Sequence, residues 1–222
     1  MNRCSSTPTL FGNHPTMRDD HYYEPRLGHG LPHDPFSAIV GPRPIGWISS
    51  QSPEGRVNLA PYSFFNAFSY TPPIIGFASI GWKDTVANIE ATKQFVWNLA
   101  TRALMEAMNA TSAAAAPDVD EFALAGLTHA PSHRVTPPRV GESPVTFECQ
   151  LTQLIQLQDA DSRALATWLV LGEVIAVHID KNLLEDGIYN TALAEPILRG
   201  GGAGDYFSIG AAQRFRMRRP RV

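Results

Sequence analysis

Lys83, Asp84 and Thr85 stand in a row directly after an apolar run and directly before a stretch of helical periodicity. Val86, Ile89 and Thr92 would share one face of a helix running to about Lys93. Either Asp84 or Thr85 suits its N-cap, because a side-chain oxygen there can accept from the first free backbone N–H groups. A helix start also carries partial positive charge, and Lys83 adds a full one, so an anion fits there and a phosphate monoester is the natural guest. Taken alone, the triplet describes an ordinary capped helix with a solvated lysine at least as well. Its neighbours add to it: Ser49, Asn58 and Ser63 are small polar side chains set among apolar and aromatic ones, in a stretch from 42 to 98 suited to a flat, phosphorylated cofactor.

The elements that must position these groups are short and β-rich. Ile45 to Gln51 is rich in β-branched and aromatic residues, and Ser52-Pro53-Glu54-Gly55 has the chemistry of a tight turn, so the chain should reverse and pair with 56–60. Pro73 to Ile80 is short enough for a buried strand. Phe95 to Ala100 reads as a further strand, and Ala103 to about Ser112 as a helix with Leu104, Met105 and Met108 inward, followed by the run Ala113–Ala116 and Pro117. Two long β-type runs, 145–157 and 164–179, are joined by Gln158-Asp159-Ala160-Asp161 as a hairpin. Long antiparallel strands joined to short early ones predict a mainly β fold with peripheral helices, a closed or nearly closed barrel. No Gly-x-Gly-x-x-Gly follows a predicted strand, which leaves a Rossmann route to a dinucleotide unsupported.

Other clusters read as structure. Asp118, Asp120 and Glu121 suit the first turn of a helix through Ala125 better than a cation site. His129 and His133 have zinc-like spacing, but Pro131 between them makes the segment a loop, and Gly28, Gly30 and Pro32 break any helix that would align His29 with His33; no metal site is assigned. Cys4 and Cys149 supply neither a disulfide framework nor a thiolate metal set, which points weakly to a cytoplasmic protein. A length of 222 residues, with 44% hydrophobic and 18% charged, describes one globular domain over 21–222 behind a poorly ordered leader at 1–20. A formal net charge of −3 argues against nucleic acid, and the five arginines from Arg214 to Arg221 read as a solvated terminus. No apolar run is long enough to suggest a membrane span, and no secretory signal is recognisable.

PRPIGWISS, NLAPYSFF, Pro72-Pro73, KDT with the later Asn88-Ile89, and FVWN follow one another in this order. In that combination, from about Tyr22 to Pro220, the chain resembles the flavin reductase-like, FMN-binding split-barrel proteins, the group of flavoredoxin and nitrilotriacetate monooxygenase component B. The resemblance implies FMN as cofactor. Its ring would lie along the backbone of Trp47, Ile48 and Ser49 and of Asn58, Leu59, Ala60 and Pro61. Ser49, Asn58 and Ser63 would meet the ribityl chain, and Lys83, Asp84 and Thr85 the phosphate. Arg199, with Gly200, Gly201 and Tyr206, matches a family segment beside the flavin or the dimer interface.

The implied reaction is hydride transfer from NAD(P)H to flavin N5, with reduced flavin or electrons passed to a partner oxygenase or redox protein. A homodimer is implied too, and the aromatic corner Tyr62, Phe64, Phe65, Phe68 and Tyr70 serves either its interface or the core. One departure counts against direct nicotinamide use: Thr167-Trp168 stands upstream of Gly172-Glu173-Val174 where related members often carry a histidine. An FMN electron carrier without NAD(P)H chemistry, or a non-redox ligand-binding barrel, are the alternatives.

Overall fold

The computed structural model describes residues 18–116 and 118–220, so most of the expected leader, Cys4, Pro117 and Arg221 lie outside the described residues. The chain divides into two compact units, Met1–Asp34 and Pro35–Val222. In the first, His21 Nε2 lies 2.8 Å from His29 O, and His29 Nδ1 accepts from Leu31 N, so these rings hold their own loop together.

The second unit begins with α1 (Phe36–Ile39), β1 (Arg43–Pro44), β2 (Gly46–Gln51), β3 (Val57–Tyr62), β4 (Phe65–Tyr70) and β5 (Pro73–Ile80). It continues through α2 (Asp84–Thr92), β6 (Gln94–Asn98), a 3-10 turn at Arg102–Leu104 that runs into α3 (Met105–Ala110), α4 (Glu121–Leu124), β7 (His129–Ala130) and β8 (Arg139–Val140). Then come β9 (Val145–Gln158), β10 (Ala164–Ile179), β11 (Leu184–Glu185), β12 (Ile188–Tyr189), β13 (Ile197–Arg199) and β14 (Tyr206–Ser208). The helix expected over 103–112 is thus split, because Leu104 leaves the helical region at ψ 8° before α3 begins.

One antiparallel seven-stranded sheet dominates, in the order β3-β2-β6-β9-β10-β5-β4, and small β1-β13-β14, β7-β8 and β11-β12 sheets flank it. The β2–β3 turn forms as its residues dictate: Gly55 takes φ 89°, its N–H reaches Ser52 O at 2.9 Å, and Ser52 N reaches Arg56 O at 2.8 Å. The β9–β10 connection is closed by Asp159, whose Oδ1 accepts from Asp161 N and Arg163 N, with Ser162 at φ 63°.

The alternation of β2 and β3 separates two cores. Ile48 and Tyr62 point into the barrel with Ile75, Phe77, Val86, Ile89, Phe95 and Val170. Trp47 and Leu59 point the other way, against Met108, Phe122, Val140 and Ile45. Each such fully buried side chain contributes roughly 1.5–3 kcal/mol of transfer free energy. Gly172 lets the two longest strands pass over the first core, since a Cβ there would stand 2.4 Å from Phe95 Cε1.

The sheet curls without closing. Its two edge strands, β3 and β4, are joined by Ser63-Phe64 alone. Phe65 opposite Phe77 is the last β4–β5 ladder pair in that direction; Ala78 N still reaches Phe64 O at 2.9 Å, and beyond it Ser79 and Ile80 pair with β10 alone. Between β3 and this unpaired end of β5 the barrel is split.

Candidate functional site

The split holds a cavity of about 480 Å³, within the range of roughly 300–1,000 Å³ common for small-molecule sites. Asn58, Ala60, Pro61 and Tyr62 of β3 form one wall, Ser63 and Phe64 the bridge, and Ala78 and Ile80 the opposite wall. Lys83, Asp84 and Thr85 close one side, and Thr111 to Ala115 with Glu121 close the rest.

The start of α2 differs from the expected capping. Its N-cap is Lys83 itself, extended at φ −104° and ψ 169°, and no side chain caps the helix. Asp84 and Thr85 are instead its first two helical residues. Thr85 is buried and lines the cavity, and its hydroxyl accepts from Asn58 Nδ2 at 2.8 Å beside the Tyr62 phenol. The first turn therefore offers uncapped N–H groups beside an ammonium and a hydroxyl.

Tyr62 contributes an orphaned group. Its phenol oxygen is buried near the hydroxyls of Thr85 and Ser79 and has no hydrogen-bond partner of good geometry. Burial pushes its pKa up against those hydroxyls, and Asp84 and Glu121 push it further. A buried hydroxyl left unpaired costs about 1–3 kcal/mol, which a ligand oxygen in the cavity would recover. Glu121 is the second unforeseen group. The residue is 9% exposed, Oε2 accepts from Leu59 N at 3.0 Å, and burial pushes the carboxyl above its usual pKa despite that bond, helped by Asp120 and Asp84.

The sequence expectation put backbone donors and acceptors on Trp47 to Ser49, and the topology corrects this. β2 is a central strand: Trp47, Ile48 and Ser49 pair with Pro61, Ala60 and Leu59 on one side and with Asn98, Trp97 and Val96 on the other. Their side chains are fully buried, Trp47 Nε1 on Thr111 Oγ1 at 2.9 Å and Ser49 Oγ on Pro138 O. None of the three lines the cavity. Leu59 likewise faces the outer core, and Arg199 lies outside the cavity lining, spending its guanidinium on the carbonyls of Gly201, Gly202 and Asp205 and standing 5.0 Å over the Tyr206 ring. Asn58, Ala60, Pro61, Ser63, Lys83, Asp84 and Thr85 are the expected residues that the fold brings to one cavity.

β3 is the open edge that β2 is not. Leu59 N points outward to Glu121, and Pro61, which has no N–H, sits two residues on as edge strands tolerate. Ser63 and Phe64 lie outside the named strands, and their carbonyls are held by Arg43 Nε at 3.0 Å and Ala78 N at 2.9 Å, with the Arg43 guanidinium 5.3 Å over Phe64. Sequence reasoning gave Arg43 no role; its place in PRPIG, one strand away from the bridge, was the available signal.

The histidines fall elsewhere. His129 pairs with Asp120 at 3.1 Å and packs on Phe122, whereas His133 packs against His178, so each ring of the zinc-like pair has a different neighbour. His178 Nε2 lies 2.6 Å from Glu148 Oε1. Cys149 is fully buried, and burial raises its thiol pKa well above normal, so it is a core residue. Arg214, Arg216, Arg218 and Arg219 are exposed. Among the described residues, no helix is long and apolar enough to cross a membrane.

Residues 41–195 match the family model described as flavin reductase like domain. An uncharacterized protein of Aquifex aeolicus (strain VF5) is 35% identical over 170 residues, covering 74% of this chain and 83% of its own length. The crystal structure of nitrilotriacetate monooxygenase component B from Bacillus cereus superposes with a TM-score of 0.76 at 28% identity, over 96% of this chain and 100% of that one. That of 2-nitrobenzoate 2-nitroreductase from Pseudomonas fluorescens gives 0.72 at 30% identity, over 83% and 88%.

Proposed function

This chain belongs to the flavin reductase-like family, and from that premise we propose that it is an FMN-binding oxidoreductase reduced by NAD(P)H, which supplies reduced flavin or electrons to a partner oxygenase. The observation that carries the reading is the convergence, on one cavity in the barrel split, of Lys83, the uncapped start of α2, the Thr85 hydroxyl and the orphaned Tyr62 hydroxyl. Together they are a donor set for a phosphate monoester, and the apolar walls at Ala60, Phe64, Ala78 and Ile80 suit a flat ring.

In this reading Lys83 and the first-turn N–H groups hold the phosphate, Asn58 and Ser63 meet the ribityl chain, and the Ser63-Phe64 backbone faces the polar edge of the ring. Flavin supplies the two-electron chemistry when bound. The protein's part is to bind, orient and exclude water, so no side chain is assigned as acid or base. The homodimer implied by the family resemblance has a candidate surface in Phe68 and Tyr70, exposed by 56% and 96% on the edge strand β4.

A second reading, an electron carrier of the flavoredoxin type, is favoured by the register of β10. Thr167 and Trp168 pair with Ile80 and Ser79 beside the cavity wall, and the Trp168 ring packs edge-on to Trp82 at 5.2 Å. An indole pair occupies the place where a nicotinamide-directed histidine would stand. The visible spectrum of the purified protein, followed by titration with NADH and NADPH in the absence of oxygen, tests both. Bleaching of a flavin band by either nucleotide supports the reductase. A yellow protein that neither nucleotide bleaches supports the carrier, and a colourless protein that takes up no FMN overturns both.

A further inference from the structure

The phosphate end of the cavity has a charge imbalance that the proposed guest would worsen. Lys83 is the one basic residue lining it among the described residues, and Asp84 and Glu121 both line it as carboxylates. One positive charge already faces two negative ones. A phosphomonoester brings a further charge of about −1.5 to −2 near pH 7. Like charges gathered in a desolvated site resist being ionised together, and the least solvated acid is the first to take a proton.

That acid is Glu121. Its side chain is buried against β3 and lines the cavity, with Oε2 accepting from Leu59 N at 3.0 Å and the carboxyl also held by its own backbone N–H. The charged and titratable groups around it come from every element nearby. They are Tyr62 on β3, Lys83 and Asp84 at α2, and Asp120 beside it in the chain, which is itself engaged by His129 of β7 at 3.1 Å. Asp84, at the first position of α2, is exposed, whereas Glu121 is buried. Glu121 also stands at a helix start, but α4 is only four residues long, so few aligned peptide dipoles favour its charge. The orphaned Tyr62 phenol, buried between Thr85 and Ser79, is an independent sign that this end of the cavity awaits an acceptor.

We infer that Glu121 takes up a proton when a phosphomonoester enters the cavity and then donates a hydrogen bond toward it. This rests on the flavin-phosphate reading of the site. Glu121 becomes a specificity-determining residue: repelling as a carboxylate, it admits the phosphorylated flavin only together with a proton, and it is indifferent to riboflavin, which brings no charge. Tyr62 and protonated Glu121 would supply two neutral donors beside the single ammonium.

Calorimetric titration of the full chain with FMN at pH 8, in buffers of low and high ionisation enthalpy, reads the proton directly. The expected result is uptake of roughly one proton per FMN bound, none with riboflavin, and an FMN affinity that falls by up to about tenfold per pH unit above neutrality. Glu121→Gln retains an oxygen to accept from Leu59 N, and it is expected to lose the uptake, to bind FMN about tenfold more tightly than wild type at pH 8, and to show little pH dependence. Should that variant fail to fold, the wild-type infrared difference spectrum on adding FMN gives the same answer through the appearance of a protonated-carboxyl stretch. FMN binding without proton uptake, or uptake that persists in Glu121→Gln, would overturn the inference and leave the flavin reading intact. No binding of FMN at any pH would overturn the reading and the inference with it.

Discussion

Two buried glutamates, Glu121 at the cavity and Glu148 in the barrel wall, have opposite fates. Glu148 is 0% exposed, yet both its oxygens are used: His133 N at 2.8 Å and His178 Nε2 at 2.6 Å reach Oε1, and Arg134 N reaches Oε2. Burial alone would push its pKa up, but the His133 N–H, the His178 ring and the Arg134 N–H outweigh that and hold it below the usual carboxylate value. At Glu121 burial prevails over two backbone donors, Leu59 N–H and its own N–H, with Asp120 and Asp84 adding to the upward push. The contrast separates a carboxylate that staples a loop to a strand from one that lines an open cavity beside two acidic neighbours. The Tyr62 hydroxyl, buried in the same cavity without a hydrogen-bond partner, points to a ligand there.

The comparison breaks most visibly at Glu148. Glu148→Ala leaves the His133 and Arg134 N–H groups and the His178 ring without their acceptor, and should cost about 1–3 kcal/mol in denaturant unfolding. A loss below about 1 kcal/mol would mean the 131–138 loop does not depend on it. Tyr62→Phe is the counterpart at the cavity. It removes a hydroxyl that has no partner, so the free protein should be unchanged or stabilised by up to about 1–2 kcal/mol, while FMN affinity falls about tenfold. A destabilised Tyr62→Phe would show that the hydroxyl is bonded in the free protein.

The smallest effect sharpens the contrast through pH. Glu148 has a depressed folded pKa, so its stabilisation is present above the unfolded value of about 4.3 and is lost as pH falls through the folded one. Glu121 has a raised folded pKa, so its contribution is full below about 4.3 and is lost as pH rises through the folded value. Unfolding curves from pH 4 to 8 should therefore show the penalty of Glu148→Gln growing with pH and that of Glu121→Gln shrinking. Parallel trends would remove the distinction.

What was legible in the sequence was local. The Ser52–Gly55 turn, the strand Pro73–Ile80 and the helix after Lys83 follow from residue type and spacing over a few positions, and the structure has each within a residue or two. The helix-start reading of Asp120 was also local, and its Oδ1 accepts from Phe122 N at 2.9 Å. Strand order was not local. Trp47 to Ser49 looked like a usable strand edge because nothing in that run tells that β6, about 50 residues later, will pair with its other side. Tyr62 and Glu121 were read as an aromatic corner and a helix start. Their roles depend on α4 packing against β3 and on the split opposite β5, which no short window of sequence contains.

The central claim is that Lys83 and the start of α2 grip a flavin phosphate in the barrel split. It is tested most directly by comparing FMN and riboflavin affinities in wild type and Lys83→Ala by fluorescence quenching. Charge-assisted contacts to phosphate contribute about 1.5–3 kcal/mol, so wild type should prefer FMN by at least ten- to hundredfold, and Lys83→Ala should lose most of that preference while its riboflavin affinity is unchanged. Equal affinity for the two flavins in wild type, or an undiminished preference in Lys83→Ala, would contradict the account.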